Sequence, residues 1–150
     1  MDIKKIICLS VILISANFTV AQRNYKNFAV SVYVRAYEVK QMNNLHKLDS
    51  VWNLISGQLK VDKVYLETHR DTVTVDGRTI EKAKKFFKDK GIATAGGITY
   101  TINEGNRFQT FCYTDPAERN EVKKIAELTA RHFNEFILDD FFFTNCKNES

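Results

Sequence analysis

The chain has 150 residues, 44% of them hydrophobic and 12% aromatic, with 22 basic against 18 acidic side chains and a net charge of +4. That is the composition of an ordinary globular domain, too apolar for a disordered chain. Its lysines are scattered along helix faces, as in Lys82-Ala83-Lys84-Lys85 and Lys123-Lys124, which is a solvated surface and excludes a nucleic-acid footprint.

The first residues read as an export signal. Lys4 and Lys5 form a short basic region, Ile6 to Ile14 is apolar, and Thr19-Val20-Ala21 ends the run with a small residue before Gln22. This pattern predicts a signal peptide over residues 1–21, cleaved after Ala21, and a secreted or periplasmic product. The apolar run is short for a spanning helix and polar at Ser15-Ala16-Asn17, which leaves an uncleaved anchor as the lesser alternative. No stable membrane insertion is expected after cleavage. Two cysteines remain, Cys112 and Cys146, in a compartment where disulfides form.

Phe28 to Val34 is β-rich and reads as a first strand ending at Arg35, with Tyr37 and Glu38 beyond. Leu45, Leu48, Trp52, Ile55 and Leu59 recur at three- and four-residue steps, one apolar stripe on a helix. Asn43 or Asn44 suits its N-cap. Lys63 to Asp71 is a second strand that starts apolar and ends in Glu67, His69, Arg70 and Asp71. The period of two puts Glu67 and His69 on one face. Thr72 to Thr79 alternates around Asp76-Gly77, which reads as the turn of a small hairpin. Ile80, Ala83 and Phe87 set the face of a second helix, and Gly91 suits its left-handed C-terminal position.

Ile92 to Thr99 reads as a third strand, in which Gly96-Gly97 allows close approach of a ligand or neighbouring backbone, or marks a bulge. Tyr100 to Cys112 is polar and alternating around Asn103-Glu104-Gly105-Asn106, a long ordered loop or hairpin. Asp115-Pro116-Ala117-Glu118 is a helix start, with Asp115 as N-cap, Pro116 at N1 and Glu118 completing a capping box. Val122, Ile125, Ala126, Thr129 and Phe133 form that helix's buried stripe. It delivers the chain into Phe136-Ile137-Leu138, read as a buried strand, and then into Asp139-Asp140.

Alternation of strand and helix predicts an α/β fold with a parallel sheet. Each strand ends polar, so Arg35, Glu38, Glu67, His69, Asp139 and Asp140 gather on one rim, where α/β enzymes place their chemistry. No phosphate loop follows the first strand. A TIM-type (β/α)8 barrel takes about 250 residues, about 31 per unit, so residues 22–150 hold about four units. The expected domain is therefore the N-terminal half of such a barrel, a fragment; a small complete flavodoxin-like domain is the other fold of this pattern.

Phe133-Asn134-Glu135-Phe136-Ile137-Leu138-Asp139-Asp140-Phe141-Phe142-Phe143 resembles the fourth strand of glycoside-hydrolase-like (β/α)8 barrels of secreted bacterial proteins, although Glu135-Phe136 stand where those proteins often carry a glycine. The resemblance implies action on a poly- or oligosaccharide. Glycoside hydrolysis uses two carboxyl groups, one an acid and one a nucleophile or base. Asp139 and Asp140 are the catalytic candidates, with a partner acid expected beyond residue 150. Arg35, Glu38, Glu67, His69 and Tyr113 are candidate substrate contacts. A barrel that binds carbohydrate without cleaving it is the rival reading. No cofactor and no metal is expected, because no ligand spacing such as HExxH or CxxC is present. Asp139 shares a side with Ile137, and Asp140 with Leu138; which of them faces the barrel mouth depends on the register. Cys112 and Cys146 follow neighbouring strands on the same rim, and a disulfide between them is expected.

Overall fold

The computed structural model describes Tyr25 and residues 27–139, 142–144 and 146. Residues 1–21, and with them the expected signal peptide, lie outside the described residues, as do Asp140 and Phe141. In chain order the elements are β1 (Ser31–Val34), α1 (Ala36–Gln41), α2 (Leu45–Ser56), β2 (Lys63–Arg70), β3 (Val73–Thr74), α3 (Gly77–Asp89), β4 (Ala93–Ile98), β5 (Thr101–Asn103), β6 (Gln109–Thr110), α4 (Pro116–His132) and β7 (Phe136–Leu138).

Four strands form one parallel sheet in the order β1-β2-β4-β7, with β3 added antiparallel to β2; β5 and β6 pair separately. The spatial order follows the sequence order, and every crossover helix lies on the same face. Val64 and Leu66 of β2 join Trp52 of α2 and Ile80, Ala83 and Phe87 of α3 in one buried cluster. Thr68 of β2 meets Thr129 of α4, hydroxyl to hydroxyl, at 2.6 Å. Ile98 of β4 packs with Ile125 of α4. A doubly wound sheet reverses strand order and puts helices on both faces. Helices on one face only, over strands in sequence order, are the wall of a partial TIM-type barrel. The flavodoxin-like alternative is set aside on this ground.

The caps explain where the helices begin. Asn44, Asp76 and Asp115 each accept a backbone N–H of the first turn that follows. Asp76 is therefore a helix cap and not a hairpin turn. The turn between β2 and β3 is at Asp71, held at φ 53°. The capping box at Asp115 is half made. Asp115 accepts from Ala117 and Glu118, but Glu118 reaches back to the Cys112 amide at 2.5 Å, because the Asp115 amide is already bonded to Cys112 O. Gly91 takes the left-handed conformation past α3, at φ 74°.

Three features depart from the sequence pattern. The short helix α1 follows β1 at once, with Ala36 and Val39 buried. The paired glycines admit side chains rather than a ligand or a bulge: a Cβ on Gly96 would meet Thr129 and Phe133 of α4, and one on Gly97 would meet Tyr33. The bulge lies instead in β2, between Glu67 and His69. Finally, β7 is not buried; Phe136, Ile137 and Leu138 are 38%, 45% and 38% exposed. It pairs with β4 on one side, and its other edge has no partner strand among the described residues.

Candidate active site at the strand ends

The bulge decides which side chains meet. Thr68 points to the helices, so Glu67 lies on the opposite face, where strict alternation would also place His69. The bulge adds a residue and shifts that alternation. His69 turns its ring to Phe111 and sets Nδ1 2.9 Å from the Thr99 carbonyl. Arg70 takes the place beside Glu67. His69 is 4% exposed, and burial pushes its imidazole below the ordinary range. The neutral ring donates from Nδ1 to that carbonyl. His69 is thus a structural residue and not a substrate contact.

Glu67 has no exposed surface. Its carboxylate accepts from the Tyr33 hydroxyl at 2.7 Å, the Ala36 amide at 2.6 Å and Arg70 Nε at 2.9 Å. The Ala36 amide is an orphan donor at the start of α1, and Arg35 provides no side-chain cap there. Glu67 thus serves as the missing cap and ties the β1–α1 turn to β2. Sealed in this way, it touches no substrate; its role as a contact is corrected to that of an internal anchor. Burial, then the bond to Glu67, raises the Tyr33 phenol well above its usual range.

Arg70, 8% exposed at its side chain, is the centre of the cluster. Nη2 donates to Glu67 at 2.9 Å, to the Thr99 hydroxyl at 2.9 Å and to Asp139 Oδ2 at 2.8 Å, while Nη1 pairs with Glu104. Burial alone would lower its pKa; the bonds to Glu67 and Glu104 outweigh burial and raise it. The Thr99 hydroxyl also stands 2.5 Å from Glu67 Oε1 and 2.9 Å from Asp139 Oδ2.

Asp139 follows the last residue of β7, and its amide continues the ladder to Ile98 O at 2.9 Å. Ile137 pairs with Gly97, on the face where Tyr33 and Glu67 lie, so Asp139 turns to that face too. Its side chain is 30% exposed. Asp140 lies outside the described residues. Arg35 and Glu38 pair with each other at 2.9 Å on the exposed surface of α1. Tyr113 donates to Phe142 O at 2.5 Å and packs its ring on Phe142 at 6.0 Å, holding the segment after β7. Cys112 and Cys146 form a disulfide beside it, with Cα atoms 5.3 Å apart.

Above the strands the loops are clamped by Asp71. It accepts from the Tyr37 hydroxyl at 2.7 Å and from the Glu104 amide at 3.0 Å. The bond to Asp71 lifts the Tyr37 phenol from its usual 10.0 to about 12. Among the described residues, no three His, Cys, Asp or Glu side chains are grouped to hold a metal, and no helix is long and apolar enough to cross a membrane.

The family described as "Probable glycosyl hydrolase, catalytic domain" matches residues 16–150, and the chain belongs to that family. It is 33% identical over 133 residues to the "Uncharacterized protein SSO3021" of Saccharolobus solfataricus, a match covering 83% of this chain. The chain spans 22% of that relative's length. No solved structure matches the chain.

Proposed function

We propose, from membership in a family of probable glycosyl hydrolase catalytic domains, that this chain carries part of a glycosidase site acting on a poly- or oligosaccharide. Asp139 is one of its two carboxyl groups. The observation that carries this reading is the position of Asp139. It ends a parallel strand on the rim where barrel enzymes work, turns away from the helices, and stays partly exposed while Arg70 and Thr99 fix its Oδ2.

The second carboxyl belongs outside the described residues. Glu67 is sealed, and Glu104 is bound to the same guanidinium as Asp139. Tyr37 stands at the rim for ring stacking on a sugar. Export through residues 1–21 belongs to the same reading, since a polymeric substrate is met outside the cell.

The test is hydrolysis of a panel of aryl glycosides and polysaccharides by the full-length protein. Activity that falls about 10²–10⁴-fold in Asp139→Asn supports the assignment. Activity unchanged in that variant moves the site elsewhere. Carbohydrate binding without turnover by the wild type favours the non-catalytic barrel.

A further inference from the structure

We infer that Arg70 is a positioning residue that holds Asp139 in its ionised form, so that Asp139 enters the reaction as the anion, the nucleophile or base, and not as the proton donor. This rests on the glycosidase reading above and assigns one of its two roles.

The ion pair of Arg70 Nη2 with Asp139 Oδ2, at 2.8 Å, supports it. The Thr99 hydroxyl accepts from Arg70 Nη2 and has one proton to give, with Glu67 Oε1 and Asp139 Oδ2 both in reach. Glu67 already takes donors from Tyr33, Ala36 and both Nε and Nη2 of Arg70. The Thr99 proton lies on the shorter contact, to Glu67 Oε1 at 2.5 Å, so the donor that reaches Asp139 Oδ2 is Arg70 Nη2. Arg70 Nη2 has two protons for three acceptors, and the contact to Asp139 at 2.8 Å is the shortest of them, a charged donor on Oδ2. A cationic donor on a carboxylate oxygen favours the charged form.

Glu67, with no exposed surface, takes Nε and Nη2 of the guanidinium and Glu104 takes Nη1; Asp139, at 30% the most exposed of the three side chains, is the one that solvent also favours as the anion. Tyr33 of β1 presents a neutral phenol held by Glu67. Asp71 after β2 is occupied by Tyr37 and the Glu104 amide, and Arg35 by Glu38. Arg70 is saturated by these partners, so it orients Asp139 without itself grasping substrate.

The experiment follows the carboxyl carbon of Asp139 by NMR against pH in the full-length protein, assigned through its loss in Asp139→Asn. The expected midpoint lies below the ordinary aspartate value of about 3.9. It should rise by about one unit or more in Arg70→Met combined with Glu67→Gln, a pair that leaves no buried charge stranded, with Arg70→Lys between. The acid limb of kcat/KM should move with the same midpoints, which a merely structural role would leave in place. A wild-type midpoint at or above about 3.9 overturns the inference, whether or not the double variant folds. The titration needs no turnover, so its failure is separate from failure of the glycosidase reading, which shows as unchanged activity in Asp139→Asn.

Discussion

Tyr33 lies directly over Gly97: a Cβ built on Gly97 would stand 2.7 Å from the phenol oxygen and 2.8 Å from ring carbon Cε2. That close approach sets the hydroxyl 2.7 Å from Glu67. Gly97→Ala must push the ring aside and remove a donor from a buried carboxylate. The expected cost is about 1–3 kcal/mol in urea unfolding of the full chain. Tyr33→Ala empties the space that the added methyl group would occupy, so the double variant should lose less than the sum of the singles, by about 0.5–3 kcal/mol. Additive losses would show that the two residues do not share this contact.

The alternation of strand and longer helix, the caps at Asn44 and Asp115 and the common rim were legible in the sequence, because apolar periodicity and cap chemistry are local signals; Asp76, read as a turn, and the short α1 were not. Asp139 was legible for the same reason, as a carboxylate ending an apolar run. Arg70 was in view as one member of the polar end of β2, yet its partnership with Glu67 was not. Alternation paired Glu67 with His69, and only the bulge between them reverses the choice. A bulge is fixed by pairing with β4, which no window of β2 contains. Thr99 and Glu104 were missed because their roles arise from the convergence of three separate segments on one guanidinium. The burial expected of Phe136–Leu138 failed for a related reason: composition reports a strand, while exposure reports how many neighbours that strand has.

His69 predicts the acid side of the stability profile. Burial holds its folded pKa below the ordinary 6.5, so the unfolded chain binds the proton first. Its contribution is therefore complete above 6.5 and is lost as pH falls from there through the folded pKa. His69→Gln removes this titration while keeping a polar side chain near Thr99 O. Thermal melts at a series of pH values should show a shallower decline below 6.5 in the variant than in the wild type. Equal slopes would mean that His69 takes its proton as readily in the fold as in the unfolded chain.

The alkaline side belongs to Tyr37. Its folded pKa of about 12 exceeds the usual 10.0, so the folded state keeps the proton longer. The stability this provides is complete below 10.0 and is lost as pH rises toward 12, with buried Tyr33 acting in the same direction. Asp71→Asn tolerates the left-handed backbone at this position but removes the charge that holds the Tyr37 proton. Tyrosinate absorbance should then show Tyr37 titrating nearer 10.0. An unchanged curve would place Tyr37 away from Asp71 in solution.

The disulfide between Cys112 and Cys146 bridges a sequence separation of 34 residues, from the end of the β5–β6 hairpin to the segment after Asp139. That segment also rests on Tyr113, which bonds Phe142 O, and on the Tyr100 ring, 6.4 Å from that of Phe142. β7 itself has three residues and, among the described residues, one partner strand, so little else there fixes it. By loop closure the bridge contributes about 3–4 kcal/mol. Its loss should be felt first at β7, because β2 has partner strands on both sides. In Cys112→Ser with Cys146→Ser, hydrogen exchange should speed at the Asp139 amide, bonded to Ile98 O, while the β1–β2 ladder stays protected. Alkylation gives an independent check on export. A product beginning at Gln22 offers no thiol before reduction and two after it, whereas a third would mean that Cys8 and the leader were retained. Exchange that speeds equally in β1 and β7 would show that the bridge stabilises the whole fold and not the strand that presents Asp139.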